Sequence, residues 1–268
     1  MEVWCLGSGS RGNAFGIRHR DTTILIDAGF GLKALKTRAE AVDFPLGSLD
    51  ALVLTHEHGD HASGAAKIAE THDVPVYATR GTLRALEVEL ADLETVPVDT
   101  NSRFRVGSIT IDTCQIPHDA REPVALALQD PVGSRVAIVY DTGRVTERLV
   151  RFLSDASALV IEANHDNHML YSGPYPASVR ARIAGPRGHL SNEAACDLFT
   201  RVWHRRLEWT MLAHVSQNCN RRDLALDAVG KAARNVGFRG KLMVAHQDEP
   251  TPPLPVGKPT QLSFALGA

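Results

Sequence analysis

Thr55-His56-Glu57-His58-Gly59-Asp60-His61 is the stretch on which the reading of this chain turns. It follows Ala51-Leu52-Val53-Leu54, a run with the length and composition of a strand. Four residues of metal-ligand type then fall within six positions. His56 and His58 stand two apart, so in extended chain they project to the same side. Gly59 permits a sharp turn, and Asp60 and His61 open a helix. The stretch thereby offers two imidazoles to one metal ion, and a carboxylate and an imidazole to a second. Imidazole and carboxylate without thiolate suit zinc or manganese, and iron is also tolerated.

Further candidates stand just past other expected strands. Asp27 follows Ile24-Leu25-Ile26, His118 follows 109–116, Asp141 follows Val136–Tyr140, and His214 follows Met211-Leu212-Ala213. Each alone reads as a cap or a surface residue. Their shared placement at carboxyl ends of strands brings them to one rim, where α/β folds keep their sites.

The surrounding pattern alternates short β-branched runs with helical stretches, which predicts a layered α/β domain. Strands are expected at 2–6, 14–19, 22–27, 50–55, 74–77, 103–106, 108–115, 123–129, 134–140, 157–161, 209–214 and 241–245. Helices are expected at 31–41, 61–72, 79–90, 145–153, 176–184, 191–206 and 221–236. Residues 1–72 and 103–153 share a run of strands followed by a helix, consistent with two similar halves. No linker divides residues 1–249, which read as one domain. The Gly-, Pro- and Arg-containing segment 171–188 reads as an inserted loop with a short helix. Residues 250–268 form a Pro-rich tail expected to run over the surface.

With 268 residues, 44% of them apolar, the chain can bury a sizeable core. Its apolar runs are strand-sized and too short to span a bilayer. Met1–Leu6 reads as a first strand and not a signal peptide. Cys5, Cys114, Cys196 and Cys219 are scattered without paired spacing, which predicts no disulfide partner and suits the cytoplasm. The net charge of -2 conceals an asymmetry. Residues 1–164 hold 16 Lys/Arg against 23 Asp/Glu, and residues 165–241 hold 12 against 6. An acidic metal-binding half beside an Arg-rich half suits an anionic, phosphate-containing substrate, and equally a solvated helix surface. Nothing marks an oligomer interface.

In their order along the chain, Asp27-Ala28-Gly29, His56–His61, His118, Asp141-Thr142-Gly143 and Ala213-His214-Val215-Ser216 resemble the metallo-β-lactamase fold superfamily. The closer resemblance is to its YycJ/WalJ-type exonucleases. It is carried by Gly7–Ala14, Thr55–His61, Pro117–Pro123, Asp141–Gly143, Glu162-Ala163-Asn164-His165-Asp166, Gly188-His189-Leu190-Ser191-Asn192-Glu193 and Leu212–Asn218, and it reaches to about residue 245. The resemblance implies a four-layer αββα sandwich and a 5′-to-3′ DNA exonuclease associated with repair. It implies that His56, His58 and His118 hold one metal ion, that Asp60, His61 and His214 hold another, and that Asp141 bridges them. Asp27 is then expected behind the ligands, accepting a hydrogen bond from a ligand histidine.

Two such ions about 3.5–4 Å apart share a water and lower its pKa towards about 7, supplying hydroxide near neutral pH. Asp60, Asp27 and His189 are the catalytic candidates, with His189 expected at the scissile phosphate or leaving oxygen. Ser8, Ser10 and Asn13 lie in a Gly-rich loop suited to phosphate. Asn164 and His165 are expected along the substrate path, and Arg180, Arg182 and Arg187 on the nucleic-acid backbone. The competing readings are a small-molecule phosphodiesterase or thioester or lactone hydrolase of the same fold, and a binding module with a decayed metal site.

Overall fold

The computed structural model describes residues 1–257. The first half runs β1 (Glu2–Gly7), β2 (Ala14–His19), β3 (Thr22–Ile26), α1 (Leu32–Glu40), β4 (Ala51–Val53), α2 (Gly59–Ala62), α3 (Ala65–His72), β5 (Val76–Thr79), α4 (Arg80–Ala85) and β6 (Thr95–Val98). The second runs β7 (Arg103–Val106), β8 (Ile109–Gln115), β9 (Val124–Gln129), β10 (Arg135–Val139), α5 (Glu147–Leu153), β11 (Ala158–Glu162), α6 (Asn167–Ser172), α7 (Ala177–Ile183), α8 (Asn192–Val202), β12 (Trp209–Ala213), α9 (Arg222–Asn235), β13 (Lys241–Val244) and β14 (Leu254–Pro255).

These strands form two seven-stranded sheets, ordered β14-β1-β2-β3-β4-β5-β6 and β13-β12-β11-β10-β9-β8-β7. β3, β10 and β11 are buried at every position, as strands covered on both faces must be. Phe15, Ile17, Ile24, Ile26, Leu126, Ile138, Val160 and Met211 fill the space between the sheets. Leu35 and Ile68 cover the outer face of the first sheet beside Leu25 and Leu52. Leu149, Leu198, Phe199 and Val229 cover the second beside Leu159 and Leu212. The result is the four-layer αββα sandwich that the resemblance implied.

Topology fixes where the site lies. β3, β4, β5 and β6 run parallel, as do β10, β11, β12 and β13. β8 is antiparallel to β9, which is antiparallel to β10, so β8 points the same way as β10. The carboxyl ends of β3, β4, β8, β10, β11 and β12 therefore share one rim.

Four elements depart from the sequence-based expectation. The helix expected at 61–72 is two helices, because the ladder is diverted at Gly64: its N–H donates to the Ala28 carbonyl at 2.7 Å, and the Asp60 carbonyl accepts instead from the Asn13 N–H at 2.8 Å. β6 is not among the expected strands; it contains Pro97, which is tolerated because β6 is an edge strand with one neighbour among the described residues. α6 was also missed. Its start is set by the Asp166 carboxylate, which accepts from the Met169 N–H at 2.9 Å. The tail does not simply cross the surface. Leu254 and Pro255 pair with Val3 and Glu2, and Val256 is buried between the sheets. Residues 258–268 of the expected tail lie outside the described residues.

Candidate metal centre

Three candidates sit where a strand reaches the rim and the chain must turn at once. Asp27, Asp141 and His214 have φ of 56°, 54° and 51°. A non-glycine residue in this left-handed region costs on the order of 1–3 kcal/mol, so the surrounding contacts hold each one there. Asp27 shows how. Its carboxylate accepts from the Thr55 N–H (2.8 Å), the Thr55 hydroxyl (2.8 Å), the Tyr140 hydroxyl (2.7 Å) and His61 Nδ1 (2.7 Å). With Nδ1–H engaged there, Nε2 is the nitrogen left to face Asp141 and, once its own proton is displaced, to serve as a ligand. The neighbouring Gly29 lets Asp60 come close: a Cβ would lie 1.8 Å from the Asp60 carbonyl oxygen.

The ligand-type atoms converge in three overlapping sets, of which Asp141, Glu162, His189 and His214 form the third. One atom from each of His56, His58 and His118 lies within 4.8 Å of the others, and the same holds for Asp60, His61, Asp141 and His214. His118 donates Nδ1–H to the Gly188 carbonyl at 3.1 Å, and its Nε2 faces His58 Nδ1 at 3.2 Å. Asp60 Oδ2 is 3.2 Å from His214 Nε2 and 3.4 Å from His61 Nε2. Asp141 lies between the sets. Its Oδ2 is 2.7 Å from His61 Nε2 and 3.3 Å from His56 Nε2, and its Oδ1 is 3.1 Å from His214 Nδ1.

Two observations make this donor set fit divalent metal. His56 Nε2 and Asp141 Oδ1 are buried with charged neighbours at 3.1–3.3 Å, yet none among the described residues is aligned to hydrogen-bond them, which a folded chain does not leave without reason. And the facing ring nitrogens of His58 and His118 need a shared proton or a cation between them. All four cysteines are free and take no part.

Charge follows the same division. Burial, and then the charge of His61, holds His56 well below the usual histidine pKa. Burial likewise lowers His118. Burial would lower His214 too, but Asp141 and the hydrogen bonds to Asp60 and Glu162 outweigh it and raise it to about 9. His61 is raised well above the usual value, burial being overcome by Asp141 and Asp27. The metal-free centre thus keeps protons on His61 and His214 at neutral pH, and metal must displace them. Metal affinity is therefore expected to rise with pH up to about 9, with proton release visible as a buffer-dependent enthalpy in calorimetric titrations. A pH-independent affinity between pH 6 and 9 would contradict this.

The other sequence candidates divide. Ser10, Asn164, Arg182 and His189 line the cavity over the ligands. Arg182 is held there by Asp119 at 3.2 Å. Ser8 and Asn13 do not face it: the Ser8 hydroxyl donates to Asn13 Oδ1 and accepts from the His214 N–H, so both buckle the loop beneath the ligands. His165 is 2% exposed and is a buried neighbour of the α8 start. Arg180 donates to the Tyr171 carbonyl, and Arg187 to the His118 carbonyl at 3.2 Å, so both brace loops.

Sequence reasoning gave Glu162 no role, yet it is fully buried at the end of β11. Its Oε1 accepts from His189 Nδ1 at 2.8 Å, and its Oε2 accepts from the Thr142 and Leu190 N–H groups at 2.9 and 3.2 Å. Burial would lower the His189 pKa, but Glu162 and Asp141 hold it well above the usual value. Glu162 in turn is brought down to about 2, burial being outweighed by His189. A carboxylate closing an otherwise apolar strand was the available signal.

Comparison with known proteins agrees with this geometry. The β-lactamase superfamily domain matches residues 22–212. The chain is 32% identical over 255 residues to the exodeoxyribonuclease YycJ of Bacillus anthracis, covering 92% of this chain and 95% of that one. It is 30% identical over 258 residues to the exodeoxyribonuclease WalJ of Streptococcus pneumoniae, with the same coverage. Among solved structures, the metallo-β-lactamase fold protein YhfI from Bacillus subtilis superposes with a TM-score of 0.69 at 17% identity, covering 93% of this chain and 98% of that one. With the fold, the ligand order and near-full-length similarity in agreement, the chain belongs to the YycJ/WalJ family of the metallo-β-lactamase superfamily.

Proposed function

We propose that this protein is a metal-dependent exodeoxyribonuclease that degrades DNA from the 5′ end, using two divalent ions, zinc or manganese, per chain. The carrying observation is the Asp141-centred cluster with the Glu162–His189 pair at its edge, in a family whose named relatives are exodeoxyribonucleases. The cavity over the cluster is about 180 Å3. That admits a phosphodiester, whereas sites enclosing whole small molecules are typically about 300–1,000 Å3.

His56, His58 and His118 would hold one ion, and Asp60, His61 and His214 the other, with Asp141 between them. Bound there, the ions supply Lewis acidity and lower the pKa of the attacking water. The chain's own residues do the rest. Asp27 fixes the tautomer of His61. Asn164 donates to the His214 carbonyl at 2.9 Å and steadies its backbone turn. Arg182 sits at the mouth for a phosphate oxygen, released from Asp119 as the anion enters. His189, protonated through its contact with Glu162, stands ready to give a proton to the leaving oxygen.

No helix among the described residues is long and apolar enough to cross a membrane. Four free cysteines suit the reducing cytoplasm, where we place the protein. The deciding experiment is a time course on 5′- and 3′-end-labelled single- and double-stranded DNA and RNA with zinc and with manganese. Mononucleotide release from the 5′ end of DNA is expected. Intact DNA alongside brisk cleavage of small phosphodiesters would refute the reading.

A further inference from the structure

The segment 167–188 carries α6 and α7 and reaches the metal centre through Tyr175, Arg182 and Ile183. The core does not account for it, since α7 buries none of its residues. The segment holds Arg180, Arg182 and Arg187 and not one Asp or Glu. Between its two helices runs Gly173-Pro174-Tyr175-Pro176. Tyr175 is half-buried and lines the same cavity as His58, His118, Asp141 and His189. Among the described residues it is the only Phe, Tyr or Trp in that lining. Its hydroxyl accepts from Asn218 Nδ2 at 2.8 Å, which ties the loop to the turn after the ligand His214. Pro174 and Pro176 restrict the backbone on either side. The ring is held by its polar end, and its face is what it has left to offer the cavity.

We propose that Tyr175 stacks on the base of the substrate's terminal nucleotide and so places the adjoining phosphodiester over the ligands. The proposal rests on the nuclease reading and adds how the end of a strand is held. A base inside a stacked strand has a neighbour on each face, whereas the terminal base has one face open. A ring fixed beside the ligands covers that face, so the contact favours ends over interior positions. It is also indifferent to sequence, because every base has a π-face. Arg182 lines the same cavity, so the segment brings a partner for the base beside a partner for the phosphate.

The test measures kcat and KM of the metal-loaded full chain on three 5′-phosphorylated single-stranded oligonucleotides. One is intact, one lacks its first base, and one lacks its third base as an interior control. Wild type is expected to show a KM about tenfold higher without the first base, and within about twofold of intact DNA without the third. Tyr175→Ala is expected to raise KM on intact DNA about tenfold at nearly constant kcat, and to lose nothing further when the first base is missing. Tyr175→Phe keeps the ring and drops the tie to Asn218, and is expected to restore KM to about the wild-type value. A clasp without a stacking role gives another pattern: Phe and Ala at this position lose activity alike, and equally on all three substrates. That pattern would overturn the proposal. So would a wild type that treats DNA lacking its first base like intact DNA, a result that requires no variant to fold. A wild type that digests none of the three would refute the nuclease reading, and this proposal with it.

Discussion

Asp141→Ala is expected to abolish turnover and to lower metal content below two equivalents per chain. The carboxylate touches His56, His61 and His214 at 2.7–3.3 Å and stands between the two ligand sets. No neighbour replaces it: Asp60 is on the His61–His214 side, and of the histidines Glu162 reaches only His189 and His214. Removing a group that merely orients a ligand costs roughly 10–100-fold in metal affinity or activity. Loss of a shared ligand is expected to exceed that range. Removal also leaves His61, His214 and His189 facing one another with less negative charge, so their protons come off at lower pH. Metal analysis after exhaustive loading, with the activity assay beside it, checks the prediction. Two retained equivalents would remove Asp141 from its bridging position.

The second large effect separates proton delivery from metal binding. His189→Ala is expected to keep both ions and to lower kcat by about 10²–10⁴-fold, the usual worth of a positioned general acid. Glu162→Gln is expected to keep His189 in place but to remove the charge that holds its proton. The sign follows from the direction of the shift. Glu162 raises the His189 pKa, so the protonated acid survives to higher pH in the wild type. Without that charge its pKa falls, and the alkaline limb of kcat against pH moves to lower pH. A structural role alone would lower activity evenly and leave the profile where it was. An alkaline limb unmoved in Glu162→Gln would return the pair to a packing role.

The sequence made the local part of the centre legible and hid the long-range part. His56, His58, Asp60 and His61 are neighbours in the chain, and strand and helix periodicity orient them without tertiary information. His118, Asp141 and His214 became readable through position, since each ends a strand at the same rim. Glu162 and Tyr140 did not. Both continue apolar strands, and neither carries a role in the sequence reading. Their partners, His189 and Asp27, stand 27 and 113 residues away and meet them only once the sheets have packed. The arginines failed for a related reason. Charge alone said that 165–241 is basic, but whether a guanidinium meets solvent or a carbonyl depends on the loop it braces, as with Arg180 and Arg187. In the fold, short edge strands such as β6 and β14 escaped because the pairing partner, more than their own composition, makes them strands.

The division of ligands between the two sheets has a consequence for how the molecule comes apart. His56, His58, Asp60 and His61 come from loops of the first sheet, and His118, Asp141 and His214 from loops of the second. Each ion would therefore be a rivet through both halves. A chain cut at exposed Asn101, between β6 and β7, yields two fragments, neither holding a complete ligand set for either ion. Metal retention then becomes a report of reassembly, and chelation a way to make the seam between the halves yield first.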